Sequence, residues 1–168
     1  VAALDAYAPE GLQMRVAPGG EGIEAIVAAT ETCRMPVVRR FMFRIAERVA
    51  EQTGAVGIVT GEAVGQKSSQ TSANLRVTSA VTELPVHRPL FALDKAEITR
   101  RARTVGTYEA STIDAGCYRL APDGPATRPA LSAVEDAEPA DIDRLAAEAA
   151  EQVEIIEDSA SEGPEAGR

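Results

Sequence analysis

Ala55-Val56-Gly57-Ile58-Val59, followed by Thr60-Gly61-Glu62-Ala63-Val64-Gly65-Gln66-Lys67-Ser68-Ser69-Gln70-Thr71, is the stretch on which the reading of this chain turns. The five-residue apolar run reads as a buried strand. The twelve residues after it read as a glycine-punctuated loop of hydroxyls and amides, and Ser72 to Val81 as a helix. Open α/β sheets bind ligands in that place, in the crevice past the carboxyl ends of the strands. Gly61 and Gly65 allow close backbone approach to a ligand or a positive φ. The same spacing also suits an ordinary strand-to-helix turn with a Ser/Thr cap.

Outward from this loop, strands alternate with helices. Leu12 to Val16 reads as a short strand, Pro18 to Gly22 as a turn, and Ile23 to Thr30 as a helix. A second helix opens near Pro36 and carries Val38, Phe41, Met42, Ile45 and Val49 at helical spacing, with Gly54 closing it. Arg39, Arg40, Arg44 and Arg48 lie around its polar face, placed either to meet phosphate or simply to be solvated. Leu84 to Leu90 reads as extended, with prolines at 85 and 89 that disfavour a central antiparallel strand. Asp94 caps a helix with an Ile98, Ala102, Val105 stripe stopped at Gly106. Residues 107–131 show little periodicity, and Ile142 to Ala150 reads as a closing amphipathic helix. The pattern predicts an α/β fold with a partial parallel sheet of three or four strands. One domain over residues 1–156 and an acidic, disordered tail over 157–168 are expected.

Composition narrows the class. With 45% hydrophobic residues, 4% aromatics and no Trp, the core must be built from Ala, Val, Leu and Ile. No apolar run approaches the ~20 residues that cross a bilayer, and the first residues resemble no signal peptide. Two cysteines without an export signal suit a reducing, cytoplasmic setting. Net charge is −9, yet residues 133–168 hold 12 acidic groups against two arginines, so the preceding body is nearly balanced. An acidic total is a poor match for non-specific nucleic-acid binding, although a local arginine face can still act.

Few residues invite chemistry. Cys117 lies in the Gly-flanked stretch Asp114-Ala115-Gly116-Cys117-Tyr118-Arg119, where Arg119 would favour a thiolate; a free Cys is more often a small buried hydrophobe. Cys33, in Thr32-Cys33-Arg34, leaves the same two readings open. One histidine, His87, and no Cys-x-x-Cys give too few ligands for a zinc site, and His87 reads as structural. Lys95 follows the capping Asp94 at the positive end of a helix dipole, a mild conflict that an anion facing its ammonium would resolve. A solvated lysine is the plain alternative.

Taken together, these segments resemble the tRNA 4-thiouridine synthetases (tRNA sulfurtransferases, the thiamine-biosynthesis sulfur-transfer family). The matching pieces are Arg39-Arg40-Phe41-Met42-Phe43-Arg44-Ile45-Ala46, Val59-Thr60-Gly61-Glu62-Ala63-Val64-Gly65-Gln66, Ser69-Gln70-Thr71, Asn74-Leu75, Arg88-Pro89-Leu90, Asp94-Lys95, Gly106-Thr107-Tyr108-Glu109, Cys117 and Pro125-Ala126-Thr127-Arg128-Pro129. They run in order over residues 10–156. The resemblance implies an adenine-nucleotide alpha-hydrolase (ATP-pyrophosphatase) domain of Rossmann-like type. Such a domain uses ATP with Mg to adenylate a tRNA uridine. A protein persulfide then displaces AMP to leave 4-thiouridine, and some members also supply sulfur for the thiamine thiazole.

By position, the resemblance implies nucleotide contacts at Arg39 (where the family usually has Lys), Gly61, Glu62, Gln66 and Gln70. It implies Lys95 as the cation of adenylation and Cys117 as the sulfur-transfer thiol. Implied partners are tRNA and a sulfur donor such as a cysteine desulfurase. The family's Ser-Gly-Gly-x-Asp-Ser phosphate loop does not occur in these residues, nor do its N-terminal tRNA-binding regions, so the chain is expected to be part of such an enzyme and inactive alone. A non-catalytic nucleotide- or tRNA-binding remnant, or one subunit of a split enzyme, is the competing expectation. Some members place a Cys-x-x-Cys near Cys33 for an iron–sulfur cluster. Here that pair is broken, which leaves Cys33 as a possible second sulfur-handling thiol that resolves the persulfide.

Overall fold

A 20-residue helix, α2 (Arg34–Thr53), organises the molecule, which is seen here in a computed structural model describing residues 4, 7–8, 12–65, 67, 70–114 and 120–156. Pro36 sits in its first turn, where its missing N–H would lack an intrahelical partner anyway. Gly54 ends it at φ +71, a left-handed cap in which the Gly54 N–H reaches the Ala50 carbonyl. Val37, Val38 and Phe41 are buried along one face, while Met42 is 60% exposed. The sequence places Met42 in the core. It falls instead on the flank, roughly a quarter turn around the helix axis from the centre of the stripe that Val37, Val38 and Phe41 set.

Around α2 pack α1 (Gly20–Ala29), α3 (Ser72–Ser79), α6 (Leu131–Glu135) and α7 (Ile142–Glu151). Their Ile26, Val77, Val134, Ile142, Leu145 and Ala146 join Val37, Val38 and Phe41 in one core. Helix α1 begins at Gly20, three residues before the expected Ile23. Gly22 inside it is required: a Cβ there would lie 2.2 Å from Phe41 Cζ. The Phe41 ring, 1% exposed, therefore lies directly on the α1 backbone.

The strands depart most from expectation. Strand β2 (Ile58–Val59) pairs in parallel with β3 (Val86–His87), Ile58 opposite Val86 and Val59 opposite His87. Strand β1 (Met14–Val16) pairs antiparallel with β4 (Glu154–Ile156) in a separate two-stranded sheet. The described residues thus form an α/β structure with two small sheets, not one parallel sheet of three or four strands. Parallel strands normally bury both faces, but Val59 in β2 is 71% exposed, and Val56, 83% exposed, lies outside the strand, which keeps only Ile58 and Val59 of the expected run 55–59. The extended stretch expected from 84 to 90 contracts to two residues, since Pro89 and Leu90 enter a turn closed by Phe91 N–H to the Arg88 carbonyl. Helix α4 (Lys95–Thr104) starts where Asp94 caps it, accepting the Glu97 N–H at 2.8 Å. A four-residue helix, α5 (Tyr108–Ser111), occupies part of the stretch that lacked periodicity, and α6 begins at its last residue, Leu131.

Arginines on α2 supply a second correction. Arg40 and Arg44 are 3% and 8% exposed and do not face outward to phosphate. Arg40 Nε donates to Glu138 Oε1 at 2.6 Å, and Arg44 binds Glu138 through both Nη atoms and Asp143 through Nε. Burial pulls the Arg44 pKa down, but the hydrogen bonds and charges of Glu138 and Asp143 outweigh it and leave the pKa above the usual arginine value. Part of the carboxylate excess in the last 36 residues is therefore an internal counter-layer. Among the described residues no helix is long and apolar enough to cross a membrane.

Candidate functional site

Where β2 and β3 end at their carboxyl sides, the chain builds the loop singled out by sequence. Thr60 N–H donates to the His87 carbonyl at 3.0 Å, extending the parallel ladder by one bond, and the chain then turns away through Gly61. Gly65, at φ +77, must be glycine or strained. Its N–H meets the Gln70 carbonyl at 3.1 Å, and the Gln70 side-chain oxygen accepts the Ala63 N–H at 3.2 Å. Gln70 thus folds the loop on itself. Thr71 then caps α3 by accepting the Asn74 N–H at 3.1 Å.

Gly61 behaves differently from Gly65. Its φ is not positive, and a Cβ placed on it would meet nothing within 4 Å. Neither backbone strain nor any described neighbour demands glycine there. The surface above residue 61 is open to a ligand.

Beneath the loop lies an ion cluster that sequence reading missed. Glu62, 7% exposed, receives an Arg39 Nη1 hydrogen bond on one oxygen and Arg88 Nε on the other at 2.8 Å. The Thr60 hydroxyl adds a third contact at 3.2 Å, and Arg88 Nη2 reaches Ser79 Oγ on α3 at 2.8 Å. Arg39 on α2, the β2 loop, the segment after β3 and α3 are thereby joined at one carboxylate. Two guanidiniums thus share the carboxylate of the residue next to Gly61. A Glu three residues after a strand and an Arg one residue after its parallel neighbour were the available sequence signal.

The other candidates are placed as follows. Lys95 is exposed at the first turn of α4, and its segment is tied to the loop by Val64 N–H to the Phe91 carbonyl at 3.1 Å. Cys33 is half-buried at the N-terminus of α2 against the core. Beside it, a cleft of about 430 Å³ is lined by Glu31, Thr32, Arg34 and residues 121–124. Ala126 N–H donates to the Thr32 carbonyl at 2.9 Å, while its own carbonyl accepts from Asn74 Nδ2 at 2.9 Å. Thr71 Oγ1 donates to the Thr127 carbonyl at 2.7 Å. The 125–129 stretch thus bridges the Cys33 turn and the end of the glycine loop. Gln66 and Cys117 lie outside the described residues. Among the described residues no three His, Cys, Asp or Glu side chains gather as a metal site.

Comparison with known proteins decides the lineage. Residues 7–141 match the family described as thiamine biosynthesis protein (ThiI). The chain belongs to this family. It is 55% identical over 140 residues to the probable tRNA sulfurtransferase of Halobacterium salinarum (strain R1), covering 83% of this chain and 36% of that protein. It is 42% identical over 126 residues to the probable tRNA sulfurtransferase of Halothermothrix orenii, covering 72% of this chain and 32% of that protein. A crystal structure of a 4-thiouridine synthetase–RNA complex with bound ATP superposes with a TM-score of 0.83 at 36% identity, over 92% of this chain and 42% of that one. The chain spans about a third of the length of these curated relatives.

Proposed function

We propose that this chain contributes the nucleotide-facing floor of the adenylating domain of a tRNA sulfurtransferase. The observation that carries the reading is Gly61: the fold leaves a glycine with open space above it, at the carboxyl end of a parallel strand pair, beside two guanidiniums that share one carboxylate. Rossmann-like ATP-pyrophosphatase architecture over residues 1–156 is part of the proposal. The exposed Val56 and Val59 and the bare β2–β3 pair are what an interior portion of a wider parallel sheet would leave uncovered.

In the proposed reaction, the uridine carbonyl oxygen attacks the α-phosphorus of ATP and pyrophosphate leaves. The activated C4 is then attacked by persulfide sulfur, AMP departs with its C–O bond, and reduction of the remaining S–S bond by a thiol leaves 4-thiouridine. Gly61 admits the nucleotide close to the backbone, Arg39 meets its negative charge, Gln70 shapes the loop around it, and Gln66 is assigned a nucleotide contact. Lys95, on a segment bonded to the loop, stabilises charge at the transferring phosphoryl group. Cys117 carries or receives the persulfide sulfur, and Cys33 supplies the thiol that resolves it as a disulfide. Glu62 is committed to Arg39 and Arg88, so it does not suit a Mg²⁺ ligand, and no step is assigned to the metal here. Partners are tRNA and a cysteine-desulfurase-type sulfur donor in the cytoplasm.

The test uses the full-length protein with tRNA, ATP and a persulfide donor. AMP and 4-thiouridine should form together, and Cys117→Ser should abolish sulfur incorporation while pyrophosphate release continues. Undiminished 4-thiouridine with Cys117→Ser would remove the assignment. The 168 residues by themselves, which contain no Ser-Gly-Gly-x-Asp-Ser loop, should release no AMP.

A further inference from the structure

The Glu62 cluster does more than hold the fold together. We propose that Glu62 is a positioning residue that fixes the Arg39 guanidinium for the nucleotide without touching the nucleotide itself; this rests on the functional reading above. Three observations carry it. Both Glu62 oxygens are engaged, one by Arg39 and one by Arg88, and the side chain is only 8% exposed, so little of it is open to a ligand. A carboxylate brought directly against triphosphate would also be repelled. The anchor is fixed from behind: Arg88 holds Glu62 at 2.8 Å and Ser79 at 2.8 Å, and the Thr60 hydroxyl adds its contact from the loop. Arg39 is the outermost member of the chain, its side chain 18% exposed against 14% for Arg88.

The cluster works as a relay. One carboxylate ties Arg88, itself held by Ser79, to Arg39 on its other side. An arginine is long and flexible, and clamping it beforehand removes the ordering that nucleotide binding would otherwise require. The consequence is an effect on capture of ATP, with little on the chemical step once ATP is bound.

A double-mutant cycle on the full-length enzyme, read by tRNA-dependent AMP formation, tests this. Glu62→Gln should raise KM for ATP about tenfold while kcat stays within about threefold. Arg39→Gln should raise KM at least as much. The double variant, in which charge balance is restored and stability recovers, should have the same KM as Arg39→Gln alone. Effects that multiply in the double variant, or a KM that returns to normal along with stability, overturn the proposal; the latter result marks a purely structural cluster. If Glu62→Gln does not fold, comparing the double variant with Arg39→Gln carries the same test. A wild-type enzyme that forms no AMP overturns the underlying site reading and this proposal with it. Wild-type activity with an unmoved Glu62→Gln KM overturns this proposal alone.

Discussion

Asn74 Nδ2 donates to the carbonyl of Ala126 at 2.9 Å, a bond across 52 residues of sequence, from an asparagine that is fully buried. It ties the helix after the glycine loop to the Pro-Ala-Thr-Arg-Pro stretch, whose other side hangs on Thr32. Asn74→Asp keeps the size but removes the donor and sets a carboxylate against a carbonyl oxygen. The expected loss is about 1–3 kcal/mol of unfolding free energy, the cost of a buried polar group left unmatched. Urea denaturation of the variant checks it, and an unchanged midpoint would contradict it.

Two glycines of the loop should respond in opposite ways. Gly65→Ala forces an L-residue to φ +77 and should cost about 1 kcal/mol or more of stability. Gly61→Ala adds a methyl to empty space and should change stability by less than about 0.5 kcal/mol. In the full-length enzyme the same Gly61→Ala should raise KM for ATP by about tenfold or more, because the methyl occupies the ligand's approach. Thermal melts and AMP assays on both variants separate a fold requirement from a binding requirement.

Helix α1 offers a second contrast. Gly22→Ala places Cβ 2.2 Å from the Phe41 ring and should cost about 1–3 kcal/mol through overpacking, since Phe41 is buried on every side. Gly20→Ala meets nothing within 4 Å and should be neutral or stabilising by under about 1 kcal/mol. Equal melting temperatures for the two would contradict the packing described for Phe41.

Glu138 is the counter-charge for two buried arginines. Glu138→Gln leaves Arg40 and most of Arg44's hydrogen-bonding array facing a neutral amide, and should cost about 3–5 kcal/mol. Arg144→Ala, which breaks exposed pairs with Asp141 and Glu148, should leave the unfolding midpoint almost unchanged. Denaturation of both variants at one salt concentration gives the comparison.

How much of this was readable from the residues depends on how local each signal is. The α2 helix, its Gly54 terminus, the Asp94 cap and the closing helix all follow from side-chain spacing and cap chemistry, which act within a turn or two. The glycine loop between β2 and α3 was legible for the same reason. The partnership of the α2 arginines was not. Arg40 and Glu138 are 98 residues apart, and helical periodicity alone cannot distinguish a solvated arginine from one covered by a later carboxylate. Sheet extent failed similarly, because apolar runs mark strands without naming their neighbours. Glu62 was singled out as a ligand contact from its place in the motif. Only the three-dimensional meeting of Arg39 and Arg88 shows that both of its oxygens are already taken.

The most direct measurement is the 4-thiouridine content of tRNA, read by mass spectrometry, from cells carrying the intact gene, no gene, or the gene with Gly61→Val. Our account predicts 4-thiouridine in the first and none, or a large reduction, in the other two. Unchanged 4-thiouridine without the gene, or full modification with valine at position 61, would contradict it.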